Sequence, residues 1–481
     1  MEIHISKKDV VWSYVGQFFN IAAGFITLPL ILHMLSTEEI AMNYLMLSVS
    51  TLVALMDFGF TPQITRLISY VFSGAKKLNK EGFTEEKSND VSYTLLFKLI
   101  LVTKRIFRII GLISLFLLLT MGGWYMYRVT DGFTNVNNSL AIWGVFSLST
   151  FFTIYYKYYD SLLIGRGFLK ESKQAVLYSK LFNIVITYVL LLCGVGLLGV
   201  CISNLVAPFV GRGLSHHFFY DKEIKKRLSG IVCSSEEANE IFGVIWYNAK
   251  KTGVNFLGTY LTRQFGLFIS GLYLVAQDVA SLGLMMQLTA IISGVSSTLF
   301  NSFQPKIISH RIEGDKQRTI QTFSTAIAVY YLIFIAGAIA LILLGPWALS
   351  LIRSNATLPA MFIVVLFLVI SFLEEHHSNF AVFISTGNII PFVPAALISG
   401  ALICIGDLIV LKFTNFGLLG IVLVQGLVQL GYNNWRWPKW VLDEFDFSFA
   451  CFVSTGFKGL YYVFKNAVSG KSAKKLSFLR K

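Results

Sequence analysis

Charge is what this chain has least of. Asp, Glu, Lys and Arg make up 14% of its 481 residues, against roughly 25% in a soluble domain, and 55% are hydrophobic. A water-soluble globule must present polar groups over its surface and could not bury so much apolar side chain; mean hydropathy is +0.66. Cysteine is scarce too. Cys193, Cys201, Cys233, Cys404 and Cys451 form no CxxC and no metal-ligand spacing, which makes them packing thiols rather than a zinc or redox centre. Acids are outnumbered, 26 Asp+Glu against 40 Lys+Arg, for a formal net charge of +14. In a soluble protein that excess would suggest nucleic acid; in a membrane protein it sets orientation, and no nucleic-acid partner is expected.

What is present is a succession of apolar runs. Twelve have span length, at about 10–34, 40–72, 106–127, 139–164, 175–194, 197–214, 243–274, 279–303, 321–345, 359–385, 391–411 and 416–435. Each is expected to be helical, because a lone strand leaves its backbone unsatisfied in lipid. The polar Met1–Asp9 segment precedes an apolar run without a small-residue cleavage site, which predicts a retained first span. With the N-terminus in the cytoplasm, 33 Lys and Arg fall in cytoplasmic segments and three (Arg128, Arg353, Lys412) outside. That asymmetry predicts both termini cytoplasmic in a multi-pass membrane protein. Phe449–Val468 is apolar and aromatic but carries Lys458 and Lys465, and reads as an interfacial helix. External loops are short, the longest near Arg128–Asn138.

The two halves match weakly but in register. Lys7-Lys8 and Lys250-Lys251 precede the first span of each half, and Phe60-Thr-Pro62-Gln-Ile64 matches Phe303-Gln-Pro305-Lys-Ile307 at the same offset. Val195-Gly-Leu-Leu-Gly199 matches Phe416-Gly-Leu-Leu-Gly420 before the sixth and twelfth spans. The predicted fold is therefore all-α integral membrane, twelve transmembrane helices in two pseudo-symmetric six-helix bundles. Its parts are an N-terminal lobe 1–214, a cytoplasmic linker 215–242, a C-terminal lobe 243–435 and a basic tail 436–481. Parallel repeats of this kind place a substrate path between the lobes.

Enzyme motifs are missing. Gly194-Val-Gly-Leu-Leu-Gly199 spells GxGxxG but sits at a turn between two spans, and Gly470-Lys-Ser472 lacks the upstream glycine of a phosphate-binding loop. No enzyme activity, cofactor or metal site is expected. The informative groups are ionisable residues inside spans, where a charge costs about 2.5–3.5 kcal/mol and needs a partner or a wet cavity. Arg263 lies deep in span 7, Arg66 near the inner end of span 2 and Lys180 in the cytoplasmic part of span 5. Arg263 is expected to face the cavity. The acidic set is Asp57 on span 2, Glu374-Glu375-His376-His377 on span 10 and Asp407 on span 11. Deep carboxylates and histidines are the usual relays for H+ or Na+, and Glu374, Glu375, His377 and Asp407 are candidates for coupling.

The Pro29-bearing first span with its short Ser36–Ile40 loop, Asp57-Phe-Gly59-Phe, the following Arg66, the Gly-Leu-Leu-Gly turns and the twelve spans are similar to the polysaccharide-transporter branch of the MOP superfamily. The chain resembles Wzx-type O-antigen flippases in particular. The resemblance implies a MATE-like V of two bundles around a cavity lined by spans 1, 2, 7 and 8. It implies an undecaprenyl-diphosphate-linked oligosaccharide as cargo, with membrane lipids, a polysaccharide polymerase and a chain-length regulator as partners. Arg263, Arg66 and Lys180 would then meet the diphosphate, and Gln17, Asn20, His33 and Asp57 would add polar lining. Span 1 lacks the arginines of lipid II flippases, which argues against that cargo. Alternatives are a MATE-like exporter of cationic drugs, which would want an acid-dominated cavity, or a membrane polysaccharide polymerase or ligase, which would want a large outer loop.

Overall fold

The computed structural model describes residues 7–79, 90–387 and 389–468, and among these it contains helices and no strand. The first half comprises α1 (Lys7–Met34), α2 (Thr37–Ala54), α3 (Phe60–Phe72), α4 (Tyr93–Leu117), α5 (Gly123–Val129), α6 (Ser139–Tyr156), α7 (Tyr158–Arg166), α8 (Leu169–Leu192) and α9 (Leu197–Phe219). A short α10 (Lys222–Leu228) leads into the second half. There follow α11 (Ser235–Arg263), α12 (Phe265–Tyr273), α13 (Ala276–Asn301), α14 (Gln304–Ile312), α15 (Lys316–Leu351) and α16 (Met361–Ser385). The chain then forms α17 (Val393–Phe413), α18 (Gly417–Gly431), α19 (Asn433–Phe445) and α20 (Phe449–Val468). Read as rods, with consecutive broken pieces joined, α1 to α19 without α10 make the twelve-helix, two-bundle membrane layout. Nine helices among the described residues are long and apolar enough to cross a membrane by length and composition alone.

Several rods expected to be continuous are broken, each for a local reason. In 40–72, a single 3-10 turn at Leu55–Asp57 ends α2, and Phe58 and Gly59 take left-handed conformations (φ 42° and 77°) before α3 restarts. The related position in the second half also breaks, where Pro305 in the first turn of α14 lacks an N–H to continue the ladder. Run 243–274 starts earlier, at Ser235, and breaks at Gln264 (φ −120°) between α11 and α12. The expected linker 215–242 is thus mostly helical.

The halves pack alike. The first rod lies against the fifth in each, α1 on α8 and α11 on α17, and the fourth against the sixth, α6 on α9 and α16 on α18 and α19. The Gly-Leu-Leu-Gly matches start α9 and α18, with Gly196 at φ 64° and Gly417 at φ 51°. The second glycine of each has the same duty: a Cβ at Gly199 would strike Leu190 of α8, and one at Gly420 would strike Val410 of α17. One end of the bundle is rich in Lys and Arg, and is here called the basic face. The opposite face carries the turns at 35–36, 130–138, 193–196, 352–360 and 414–416.

The Phe449–Val468 stretch is helical, as expected, and docks onto α15. Phe452 is fully buried between Phe323 and Phe380, and Gly456 and Gly459 let the helix approach the Ser324 carbonyl and Thr325 closely.

Candidate functional site

The break at Gln264 makes Arg263 the last residue of α11 well inside the rod, so its guanidinium sits where exposed helix carbonyls favour a cation. Facing it is α16. Arg263 Nη1 lies 2.9 Å from Glu375 Oε1, Nε lies 3.6 Å from Glu374 Oε1, and Nη2 makes a long 3.4 Å contact with Ser378 Oγ. Gln425 of α18 donates to Glu374 at 2.8 Å, and Ser297 of α13 donates to Glu375 at 3.4 Å. The Arg263 side chain is 38% exposed, whereas those of Glu374 and Glu375 are 8% and 13%. A guanidinium expected to stand apart for a phosphate is therefore held by the two carboxylates expected to carry coupling cations. The three form one cluster, with net charge −1 when all are ionised.

The neighbouring histidines point away from it. His376 Nδ1 is 2.9 Å from the Tyr331 hydroxyl of α15, and His377 Nδ1 is 2.8 Å from Asn434 Oδ1 of α19. Asp407 of α17 is fully buried and neither carboxylate oxygen has a hydrogen-bond partner among the described residues. It borders a cavity of about 10 Å³, the space of one water, shared with Arg263, Thr262, Gly266 and Gln425. A bare charge at this depth is costly, so those oxygens need a proton, a cation or water. No group of three or more metal-ligating side chains occurs among the described residues.

The other sequence candidates lie elsewhere. Asp57 does not stand free in a cavity: it caps α3 by accepting from the Thr61 N–H (3.1 Å) and pairs with Lys157 at 2.9 Å. His33 is not cavity lining either. It sits exposed at the opposite-face end of α1, its ring 3.3 Å from the Arg353 carbonyl. The short loop after Met34 brings it there. Arg66 is exposed on α3, its guanidinium 6.0 Å from the centre of the Tyr70 ring. Lys180 lies on α8, which packs mainly on α1 and α9, away from the Arg263 cluster. The side chains of Gln17 and Asn20 lie outside the described ones. Sequence reading missed Gln425, Ser378, Ser297 and Asn434. Their signal was available: an amide or hydroxyl inside an apolar run needs a partner at depth.

The halves meet above this cluster. Tyr44 of α2 donates to Gln287 of α13 at 2.7 Å and presses on Gly283, Ser48 donates to the Gln264 carbonyl at 3.3 Å, and Tyr125 stacks on Phe268 at 4.4 Å. At the opposite face, Asn355 of the α15–α16 loop clasps the α1–α2 turn: its N–H reaches Leu32 O at 2.7 Å, and its amide reaches His33 O at 3.1 Å and Leu35 O at 2.8 Å. On the basic face α11 touches the first half through Phe60–Trp246 stacking at 5.8 Å and the Lys98–Glu237 pair.

No family model matches the chain, and no curated protein sequence matches it. Solved structures do. The chain is similar to an inward-facing multidrug resistance MATE family transporter of the MOP superfamily, with TM-score 0.60 and 15% identity over 90% of this chain and 95% of that one. It also matches an outward-facing MATE family transporter (TM-score 0.49, 13% identity, 91% and 93% covered). A MOP superfamily transporter from Pyrococcus furiosus matches at TM-score 0.47 and 13% identity, with 92% and 95% covered. The first of these likenesses shows the fold: the chain has the multi-pass, all-helical architecture of that one transporter.

Proposed function

We propose that this chain is an alternating-access transporter that flips an undecaprenyl-diphosphate-linked oligosaccharide from the cytoplasmic to the periplasmic leaflet of the bacterial inner membrane. In this reading the basic face and both termini are cytoplasmic. A sugar-diphosphate head cannot cross about 30 Å of hydrocarbon unaided, because each unpaired polar group costs several kcal/mol. The observation that carries the reading is Arg263: a guanidinium deep in the fold, 38% exposed, whose Nη2 makes among the described residues only the 3.4 Å Ser378 contact. A phosphate oxygen takes Nη2 first. It competes with Glu375 for Nη1, so anion binding loosens the Arg263–Glu375 contact. Arg66 provides an exposed cation on the first half, while the polyprenyl tail stays in lipid. Outward transfer of an anion is favoured by about 2.3 kcal/mol per charge per 100 mV of inside-negative potential. Polymerase and chain-length regulator partners belong to the same proposal.

One observation favours a second reading, a cation-coupled exporter of cationic drugs: two carboxylates face one guanidinium, and Asp407 lies beside them. The two readings give opposite results for one substitution. In vesicles containing the purified protein, Glu375→Gln removes the charge that competes for Nη1 and is expected to preserve or raise flipping of a lipid-linked oligosaccharide, whereas Arg263→Ala abolishes it. Flipping by Arg263→Ala at the wild-type rate would remove Arg263 from the cargo site. No flipping by the wild type, together with cationic dye transport that Glu375→Gln removes, would replace the flippase with the exporter.

A further inference from the structure

Away from the central cluster, a polar cavity of about 420 Å³ opens on the opposite face of the first half, within the volume range of small-molecule sites. Three turns build it: Met34–Ser36 between α1 and α2, Asn135–Asn138 before α6, and Gly194–Gly196 between α8 and α9. The middle turn is firmly held. The Thr130 hydroxyl accepts from the Phe133 N–H at 3.1 Å, Ser139 donates to the Phe133 carbonyl at 2.8 Å, and Val136 is buried. That anchoring displays the carboxamides of Asn135, Asn137 and Asn138 at the cavity, exposed and without a hydrogen-bond partner among the described residues.

The lining chemistry selects a ligand class. Its one charged side chain is Glu39, and both oxygens are occupied: Oε1 accepts from the Leu197 N–H and Oε2 from the Ser36 N–H, each at 3.0 Å. Among the described residues no Lys or Arg lines the cavity, so none of them neutralises a phosphate or carboxylate there. Neighbouring carboxamides present donors and acceptors side by side, which matches hydroxyl groups. Met34, Val195 and Leu198 offer apolar patches for C–H faces. We infer that this cavity is a binding site for a neutral saccharide of one or two units. The site stands independently of the cargo proposed for Arg263; only its identification with sugars delivered to the periplasmic side rests on that reading.

Saturation-transfer NMR on the full chain in lipid nanodiscs, free of sugar detergents, tests it with N,N′-diacetylchitobiose and maltose as probes. Wild type is expected to transfer saturation to at least one neutral disaccharide, and more weakly to a uronic-acid disaccharide. Removal of one amide, as in Asn135→Ala or Asn137→Ala, should weaken binding about tenfold. Each variant's thermal unfolding confirms its fold, and Val195→Trp, which fills the cavity from another turn, should also abolish transfer. Absence of transfer to either neutral sugar, or transfer unchanged by all three substitutions, overturns the proposal. Arg263→Ala should bind sugar as wild type does, so loss of flipping and loss of this site are separately visible. Displacement of the disaccharide by a lipid-linked oligosaccharide in the nanodisc supports the site as part of the cargo path; retention supports it as a site for free saccharide.

Discussion

Arg263, Glu374 and Glu375 form a cluster in which the one positive charge is shared between the two negative ones. Arg263 bridges two carboxylates that are themselves nearly buried, so truncating it leaves two like charges side by side. Arg263→Ala should destabilise the protein by about 2 kcal/mol, below the 3–5 kcal/mol of a fully buried pair because the guanidinium is partly exposed. Adding Glu375→Gln to Arg263→Ala should recover part of that loss, since one of the repelling charges is gone. Thermal unfolding of the wild type, both single variants and the double variant in nanodiscs closes the cycle. Additive effects would show that the 2.9 Å Arg263–Glu375 contact carries no coupling. At this scale the sequence was partly legible. The cost of a charge at depth marked Arg263 and the Glu374-Glu375 pair as residues needing partners, but did not say that they need each other. Asp57 shows the same gap: its partner, Lys157, comes from a rod whose position depends on the fold.

Among elements, the repeat was legible because its anchors are backbone events. Left-handed glycines start α9 and α18, and the second glycine of each turn admits the preceding helix. The break at Gln264 was not, since the surrounding run is apolar and has no proline to stop a helix. The early start of α11 is marked by a capping box, with Ser234 accepting from the Glu237 N–H and Glu237 accepting from the Ser234 N–H. Glu237 also accepts from Lys98 of α4, which ties the halves on the basic face. The Lys98 ammonium, joined by the Ser234 N–H, holds the Glu237 carboxyl below the usual glutamate range. A depressed folded-state value means the stabilisation is present above the unfolded value and is lost as pH falls through the folded one. Acidification from neutrality through the carboxylate range should therefore loosen the α4–α11 contact, read as lower amide protection factors, corrected for the intrinsic pH dependence of exchange, in the first turns of α11. Glu237→Gln should show that lower protection already at neutral pH, with little further change on acidification. An equal acid response in wild type and variant would assign the effect to other carboxylates.

For the whole molecule, the two-bundle plan followed from composition and repeat, but the state of the gap between bundles did not. The clasp at the opposite face joins residues about 320 positions apart, and nothing in the local pattern of Ser354-Asn355-Ala356 announces it. Asn355 is the centre of that clasp, with Thr37 also donating to its carbonyl at 2.9 Å. The loop holds Arg353 in a left-handed conformation (φ 49°), a strain of about 1–3 kcal/mol that the hydrogen bonds around it offset. Asn355→Ala removes the two side-chain bonds to the α1–α2 turn, about 1 kcal/mol each. That shifts the balance between closed and open arrangements of this face by roughly tenfold or more toward open. Arg353→Gly acts the other way, because glycine accepts the left-handed backbone without strain and makes the clasped loop cheaper to form. Spin labels at exposed Asn137 on the first half and Thr357 on the second report the separation by pulsed EPR. Asn355→Ala should add a longer-distance population and Arg353→Gly should deplete it. Identical distributions in all three proteins would mean that this face is closed by the α2–α13 contact around Tyr44 and Gln287, with the clasp only following it.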